Sequence, residues 1–415
     1  MSYNSSVSEV KLPFGQTASL FLVLIIDAMG MGLVLPLLGP LFMEPSSGLL
    51  YAGDTTVIRD IWYSLVVASF SFFMLFGAPF LGDLSDHLGR KKVLLLCLYG
   101  TAFGCFLSAL GIIIRSLTLL IAGRAIAGFM CGSQSLAQAA IVDMSAASKK
   151  VVHLSLISFA SCLGFILGPY MAGWLAAPSI VLYYGFTLPF IVAGLLAFAN
   201  ASALIFTFKE TFFSKAERKM YLMKGWDIFI SAFSNAKVRK LTVIYLLAET
   251  GWSLYFQFMP LHLINAFEYE SVQIGHFMAY MGVLFALALL GIIRIASKLF
   301  STKELTCYSL LLTAFGVILA MFNNELLIWF SAIPASIGGA LYYVALLTLF
   351  SNAVDAQSQG WVMGVFAAAA AFSWALSGFL IGAFSMFGMY TPFIFACILL
   401  LLSFSLLAFS KDTTN

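Results

Sequence analysis

Long apolar runs alternate with short polar interruptions along the whole chain, and the apolar runs are all of similar length. Windows near residues 18–41, 61–81, 93–114, 117–142, 151–176, 182–208, 240–265, 274–293, 304–322, 326–350, 358–385 and 390–410 each suffice to cross a hydrocarbon core of about 30 Å as a helix. The pattern predicts an all-α membrane protein of twelve spanning helices. One interruption, 209–239, is long and charged, and it divides the spans six and six. The expected organisation is therefore a six-helix bundle over 1–208, a linker over 209–239 and a second bundle over 240–415, pseudo-symmetric with the first. Within the linker, Trp226, Phe229, Ile230 and Phe233 recur at helical spacing. That predicts an amphipathic helix in the membrane interface, with a solvated linker helix as the alternative. The densest polar knot is Gly82-Asp83-Leu84-Ser85-Asp86-His87-Leu88-Gly89-Arg90-Lys91-Lys92, read as a tight turn between two antiparallel spans.

Composition narrows the class further. The 415 residues are 62% hydrophobic and 9% charged, with a mean hydropathy of +1.01. A soluble globule of that composition would expose far too much apolar surface. The lipid bilayer is the expected partner, and nucleic acid is not. The net charge of +3 says little, because in a membrane protein the placement of cations carries the information. With both termini cytoplasmic, Lys11, Arg90, Lys91, Lys92, Lys149, Lys150, the cations from Lys209 to Lys240, Arg294, Lys298, Lys303 and Lys411 fall inside. Only Arg59 and Arg115 fall outside, and Arg124 lies within a span. Flipping the topology would invert the bias, so the expected location is a plasma (inner) membrane with cytoplasmic ends. The polar start, Met1 to Gln16, precedes a run too long for a signal peptide and without a small-residue cleavage site, which predicts a retained first span. The six cysteines, Cys97, Cys105, Cys131, Cys162, Cys307 and Cys397, stand in apolar runs with no CxxC or CxxH pair, so they read as lipophilic fillers and no metal or other cofactor is expected.

Ionisable side chains deep in a span cost on the order of 3 kcal/mol on insertion scales, so each one should face a water-filled cavity or a partner. Three stand well inside: Asp27, Arg124 and Glu249. Asp27 and Glu249 share a depth of roughly 14 Å from the cytoplasmic face and open the two halves, each with a proline following at Pro36 or Pro260. Both are expected to line a central substrate cavity, with at least one of them a proton site, since low dielectric penalises the charged form of a carboxyl and suits such a group to taking up a proton. A structural polar group bonded to a neighbouring helix is the competing reading. Polar and aromatic residues of the second half, Trp252, Tyr255, Gln257, Tyr342, Tyr343, Trp361 and Trp374, are candidate walls of a ligand cavity, since aromatic faces suit amphipathic or cationic ligands. Lipid-facing or interfacial aromatics are the alternative at each of these positions.

The spacing GxxxDxxGRK, carried by Gly82, Asp86, Gly89, Arg90 and Lys91, resembles the loop between helices 2 and 3 of the major facilitator superfamily of secondary transporters. His87 departs from the basic residue usual there, which would make the local charge depend on pH. The run Asp27-Ala28-Met29-Gly30-Met31-Gly32 with Pro36 resembles the first helix of tetracycline-type drug/proton antiporters. Arg124 with Gly128 is similar to the family's fourth-helix arginine, associated there with proton coupling. Gly164, Gly168, Pro169 and Gly173 resemble the antiporter pattern GxxxGPxxGG, with Ala172 in place of one glycine, and would let the fifth helix pack closely and still bend.

The resemblance implies the two-bundle fold, alternating access driven by a proton gradient and no cofactor. It also implies a cytoplasmic gate in which Asp86 meets the start of the eleventh helix near Gln359 and Gly360 while Arg90 pairs with Asp143. The second half has no acid matching Asp86 in Gly291–Lys298, so the gate is expected to be asymmetric.

The leading expectation is a monomeric, proton-coupled exporter of small amphipathic molecules, with Asp27, Arg124 and Glu249 as coupling groups. An uptake symporter for a metabolite or an iron-chelating siderophore is the alternative. No HExxH array or nucleophile elbow points to an intramembrane enzyme, and no GxxxxGK[ST] loop to a primary pump.

Overall fold

The computed structural model describes residues 14–44, 47–51, 53–144, 150–177, 179–181, 185–210, 222–355 and 357–410. Lys11, Lys149, Lys411 and the middle of the linker lie outside the described residues. Helices fill every predicted window. In chain order the spans are Phe14–Met43, Thr56–Leu88, Arg90–Ile113, a broken fourth (Leu117–Phe129 and Ser133–Met144), Lys150–Leu175 and Leu188–Thr207. The second half runs Ala236–Phe267, Ser271–Leu299, Thr302–Leu319, Glu325–Asn352, Gln359–Ser385 and Thr391–Ala408. Ten of these are long and apolar enough to cross a membrane. The fifth carries an apolar stretch over Phe159–Leu175, and the seventh combines 32 residues with a polar first turn. The end of the bundle that carries Gly89 is called the cation-rich face below, and the other the far face.

The structure moves three boundaries. The polar knot is not a ten-residue turn: Gly82 to Leu88 complete the second helix, and Gly89 alone reverses the chain at φ 96°, a left-handed geometry that favours glycine. The fourth span breaks at Met130–Gly132. The eighth continues through a π-helical segment, Ala288–Ile292, as far as Leu299, so Arg294 and Lys298 end a helix and do not form a loop.

Across the middle of the molecule the two halves meet chiefly through two helix pairs, the second span with the eleventh and the fifth with the eighth. Both seams are tight towards the far face. A Cβ on Gly378 would stand 2.9 Å from Ala68 Cα, and one on Gly275 would stand 2.5 Å from the Pro169 carbonyl oxygen. Absent side chains let backbones touch where lipid gives no hydrophobic drive to associate. The Tyr63 hydroxyl crosses between the halves to donate to the Gln257 carbonyl at 2.6 Å in buried surroundings.

Towards the cation-rich face the second and eleventh spans are separated by the linker helix, Lys224–Ser231. Its Phe229 stacks on Phe372 with centroids 4.9 Å apart, and Trp226 contacts the same ring at 6.2 Å. Gly225 lies against Leu75 and Pro79 of the second span, and Lys224 pairs with Asp83. The Trp361 indole donates to the Ser231 hydroxyl at 2.8 Å. The helix is amphipathic as its spacing requires, but its aromatic side turns into protein, where Phe372 offers a stacking partner that lipid headgroups do not. Ile230 stays half-exposed.

Phe229→Ala should therefore release this helix, since large-to-small changes at buried aromatic positions cost about 3–5 kcal/mol. Amide exchange across 224–234 is expected to rise at least about tenfold while the spans keep their protection; unchanged exchange would mean that the stacked ring does not hold the linker in place.

Candidate functional site

Asp27 and Glu249 stand at the same distance along their helices, Phe14 to Asp27 and Ala236 to Glu249. Their surroundings differ. Asp27 lines a small cavity of about 30 Å³ inside the first bundle together with Arg124, Thr101, Cys105 and Cys131. No ion pair joins Asp27 to Arg124 among the described residues; the guanidinium sits 4.5 Å over the Phe70 ring and is 7% exposed. A cation over an aromatic face gains from the ring quadrupole, most of all where water is scarce.

Glu249 is enclosed by protein. Its carboxylate accepts from the Trp374 indole at 2.8 Å and from the Tyr342 hydroxyl at 3.1 Å, tying the seventh span to the eleventh and tenth. It lines neither of the two principal cavities.

The second cavity, also about 30 Å³, is central and bounded by both halves. Phe70, Arg124, Phe165 and Pro169 contribute from the first, and Phe256, Gln257, Met278 and Trp374 from the second. Of the proposed walls, the structure places Gln257 and Trp374 here and puts the others elsewhere. Trp252 packs on Gly339 and Phe285, and Tyr255 is buried against Phe393. Tyr342 is bonded to Glu249, Tyr343 meets Phe366 edge-on, and Trp361 holds the linker. Each helix is apolar on most of its circumference, so sequence alone does not say which aromatic turns inward.

At the cation-rich face, Arg90 pairs with Asp86 at 3.0 Å and donates to the Ser85 hydroxyl at 2.7 Å. The Asp143 side chain lies outside the described residues. Gln359 is engaged at home, with the Ser351 and Val354 carbonyls, and a Cβ on Gly360 would meet nothing within 4 Å. Just before it, Asp355 accepts from the Ser358 side chain and backbone, which holds its carboxyl below the usual range.

In the fifth span, Gly164 and Gly168 press on the first span at Ala28 and Met29, Pro169 fits against Gly32, and Gly173 abuts Ser271 and Val272 of the eighth. The four residues thus carry the contact between the first span and the far seam.

Sequence reasoning passed over Glu210. Its two carboxylate oxygens accept from the Arg90 and Lys91 amides at 2.9 and 3.1 Å, capping the third helix from the start of the linker. It also passed over Asp83, Phe70 and Thr101. An acid directly after an apolar-rich run, at Lys209-Glu210, was the available signal for the first; a phenylalanine in a membrane helix carries none. Among the described residues no cluster of three or more His, Cys, Asp or Glu is placed to hold a metal ion.

Comparison with known proteins agrees with this architecture. The Escherichia coli protein described as tetracycline resistance protein, class C, is 27% identical over 354 residues, covering 83% of each chain. The Staphylococcus aureus quinolone resistance protein NorA is 26% identical over 345 residues, 81% of each. Among solved structures, the nucleoside transporter NupG matches 95% of this chain and 100% of its own with a TM-score of 0.73 at 16% identity. The human organic anion transporter MFSD10 matches 96% and 100% with a TM-score of 0.70 at 21% identity; these two likenesses bear on the fold. The model of the Major Facilitator Superfamily matches residues 20–306. With that match, the two six-helix halves and the spanning helices, the chain belongs to the Major Facilitator Superfamily and is a multi-pass membrane transporter, not an enzyme.

Proposed function

We propose that this transporter exports small amphipathic organic molecules in exchange for protons, by alternating access across the inner (plasma) membrane, with both termini cytoplasmic and no cofactor. The observation that carries the reading is the Asp27–Arg124 couple, not joined as an ion pair, in a cavity that shares Phe70 and Arg124 with a second one bounded by both halves. A carboxyl that can be neutral or charged, beside a fixed cation, gives the first bundle two electrostatic states. The cavity between bundles gives a ligand walls that belong to both moving bodies. Far-face seams closed by glycine contacts, with the linker helix spacing the spans on the other side, suit one end state of a rocking cycle. The aromatic lining, Phe70, Phe165, Phe256 and Trp374, suits a ligand with a flat apolar part. The tetracycline- and quinolone-resistance relatives weigh towards export. Uptake by symport would use the same groups in the opposite sense, and transport in inverted vesicles with and without a pH gradient separates the two by direction.

In such vesicles Asp27→Asn should abolish gradient-driven accumulation of a tetracycline or quinolone probe while the protein stays in the membrane; accumulation at the native rate would remove Asp27 from the mechanism.

For the gate, Asp86→Asn removes the carboxylate that pairs with Arg90 across the Gly89 turn. We expect turnover to fall several-fold with ligand affinity nearly unchanged, and the reverse pattern would count against a gating role.

A further inference from the structure

The cavity around Asp27 holds more unsatisfied polarity than a dry pocket tolerates. Asp27 Oδ2, Thr101 Oγ1 and Arg124 Nε have no hydrogen-bond partner among the described residues, and neither does either end of the Asn200 amide. Arg124, Ser133 and Asn200 are each more than nine-tenths buried, at 7%, 0% and 2% exposure. Thr101 and Arg124 line the cavity directly, and Ser133 lies beside the Asp27 carboxyl. Asn200 follows Ala193 and Ala197, both cavity residues, on the same face of the sixth span. Buried polar groups are otherwise almost always partnered, and an irregular stretch of backbone at membrane depth is tolerated where it lines water. Here the fourth span breaks at Met130–Gly132, beside this cavity, with Cys131 in its wall and Ser133 opening the next helix. The amino end of that helix, with its positive dipole, therefore meets the cavity on the side of Asp27.

A second feature separates this space from the central cavity. Phe70 and Arg124 line both. The ring carries the guanidinium 4.5 Å above its centroid, and the Phe70 backbone is pinned against Gly128 of the fourth span. We propose that the Asp27 cavity is a water-filled proton chamber distinct from the site of the organic ligand, with Thr101, Ser133 and Asn200 as its positioning residues and the Phe70–Arg124 stack as the partition between the two. This deepens the proton-exchange reading and rests on it for its role in transport. Ligand and proton then never contest the same space. A ligand in the central cavity acts on the guanidinium from one side of the ring, and Asp27 feels that cation from the other. Among the described residues the charged and titratable groups facing Asp27 are Arg124, Cys105 and Cys131, with Cys97 near by, so the fourth-span arginine is the cation there through which such an exchange of influence runs.

The test uses the full chain in lipid nanodiscs and needs no organic substrate. Methyl methanethiosulfonate, small enough to follow water, should modify Cys131 at least tenfold faster than a pyrene maleimide does, read by peptide mass spectrometry. Phe70→Ala should bring the bulky reagent to within a few-fold of the small one, and Phe70→Leu, a milder change that guards against misfolding, should move the ratio in the same direction. Cys131 inert to the small reagent, or equally open to both in the native chain, would overturn the chamber or the partition respectively. In parallel, the Asp27 carboxyl stretch, assigned by its loss in Asp27→Asn, should shift within minutes of transfer to heavy water at a pH that keeps it protonated. Thr101→Val combined with Asn200→Leu should slow that shift at least tenfold. A native carboxyl that takes hours to exchange would refute hydration. Fast exchange with no transport of any compound would instead count against the export reading and leave the chamber standing.

Discussion

Hydrocarbon offers a polar group no alternative partner, and the arrangement of this protein follows from how each intramembrane charge is answered. Glu249 is answered by protein: an indole and a phenol from two other helices complete its carboxylate. Arg124 is answered in part by an aromatic face, with its Nε left to the cavity. Asp27 has one carboxylate oxygen without any protein partner among the described residues and lines a small cavity. A helix bundle tolerates such unsatisfied groups only where it encloses water, so the same residues that destabilise a dry bundle define where the cavities lie.

The second constraint is mechanical. Glycine contacts bring the second and eleventh spans, and the fifth and eighth, backbone to backbone near the far face, while the linker helix holds the second and eleventh apart on the other side. The two carboxylates of one helical turn are committed differently: Asp83 pairs with Lys224 of the linker and Asp86 with Arg90 at the start of the third helix. Glu210 then fixes the loop from below by capping the third helix, so the start of the linker and the polar turn form one unit. Two bundles joined this way pivot as rigid bodies more readily than they deform.

Hydropathy was enough to locate every span, because a run of about twenty apolar residues has one stable use in a membrane protein. It misplaced ends where polar residues continue a helix beyond the hydrocarbon, as at Gly82–Leu88, since the water interface penalises neither helix nor turn there. The break at Met130–Gly132 was invisible, because one glycine in an apolar run does not distinguish a packed helix from an interrupted one. Asp27, Arg124 and Glu249 were legible for the opposite reason: a charge in oil needs an explanation wherever it points. Their neighbours were not. Which of Trp252, Tyr255, Trp361 and Trp374 turns inward depends on helix rotation, and helices apolar on every side encode rotation only through three-dimensional fit. Glu210 reaches its partners across 120 residues of sequence, a separation no local pattern reveals.

The repeat places its two acids at matching positions and then treats them unequally, which bears on how a pseudo-symmetric bundle can perform a directional cycle. Trp374 lines the central cavity and donates its indole hydrogen to Glu249, so the second-half acid meets a ligand through a ring and not through its own oxygens. Asp27 meets the same cavity through Arg124 and Phe70. On the export reading, Glu249 is therefore one residue removed from the ligand, behind Trp374, while the Asp27 cavity shares with the central one only the walls Phe70 and Arg124. Asp27 has one carboxylate oxygen without a protein partner among the described residues, whereas Glu249 is doubly bonded. An acid that breaks fewer protein hydrogen bonds when it exchanges its proton suits the coupling role that the export reading gives the first half.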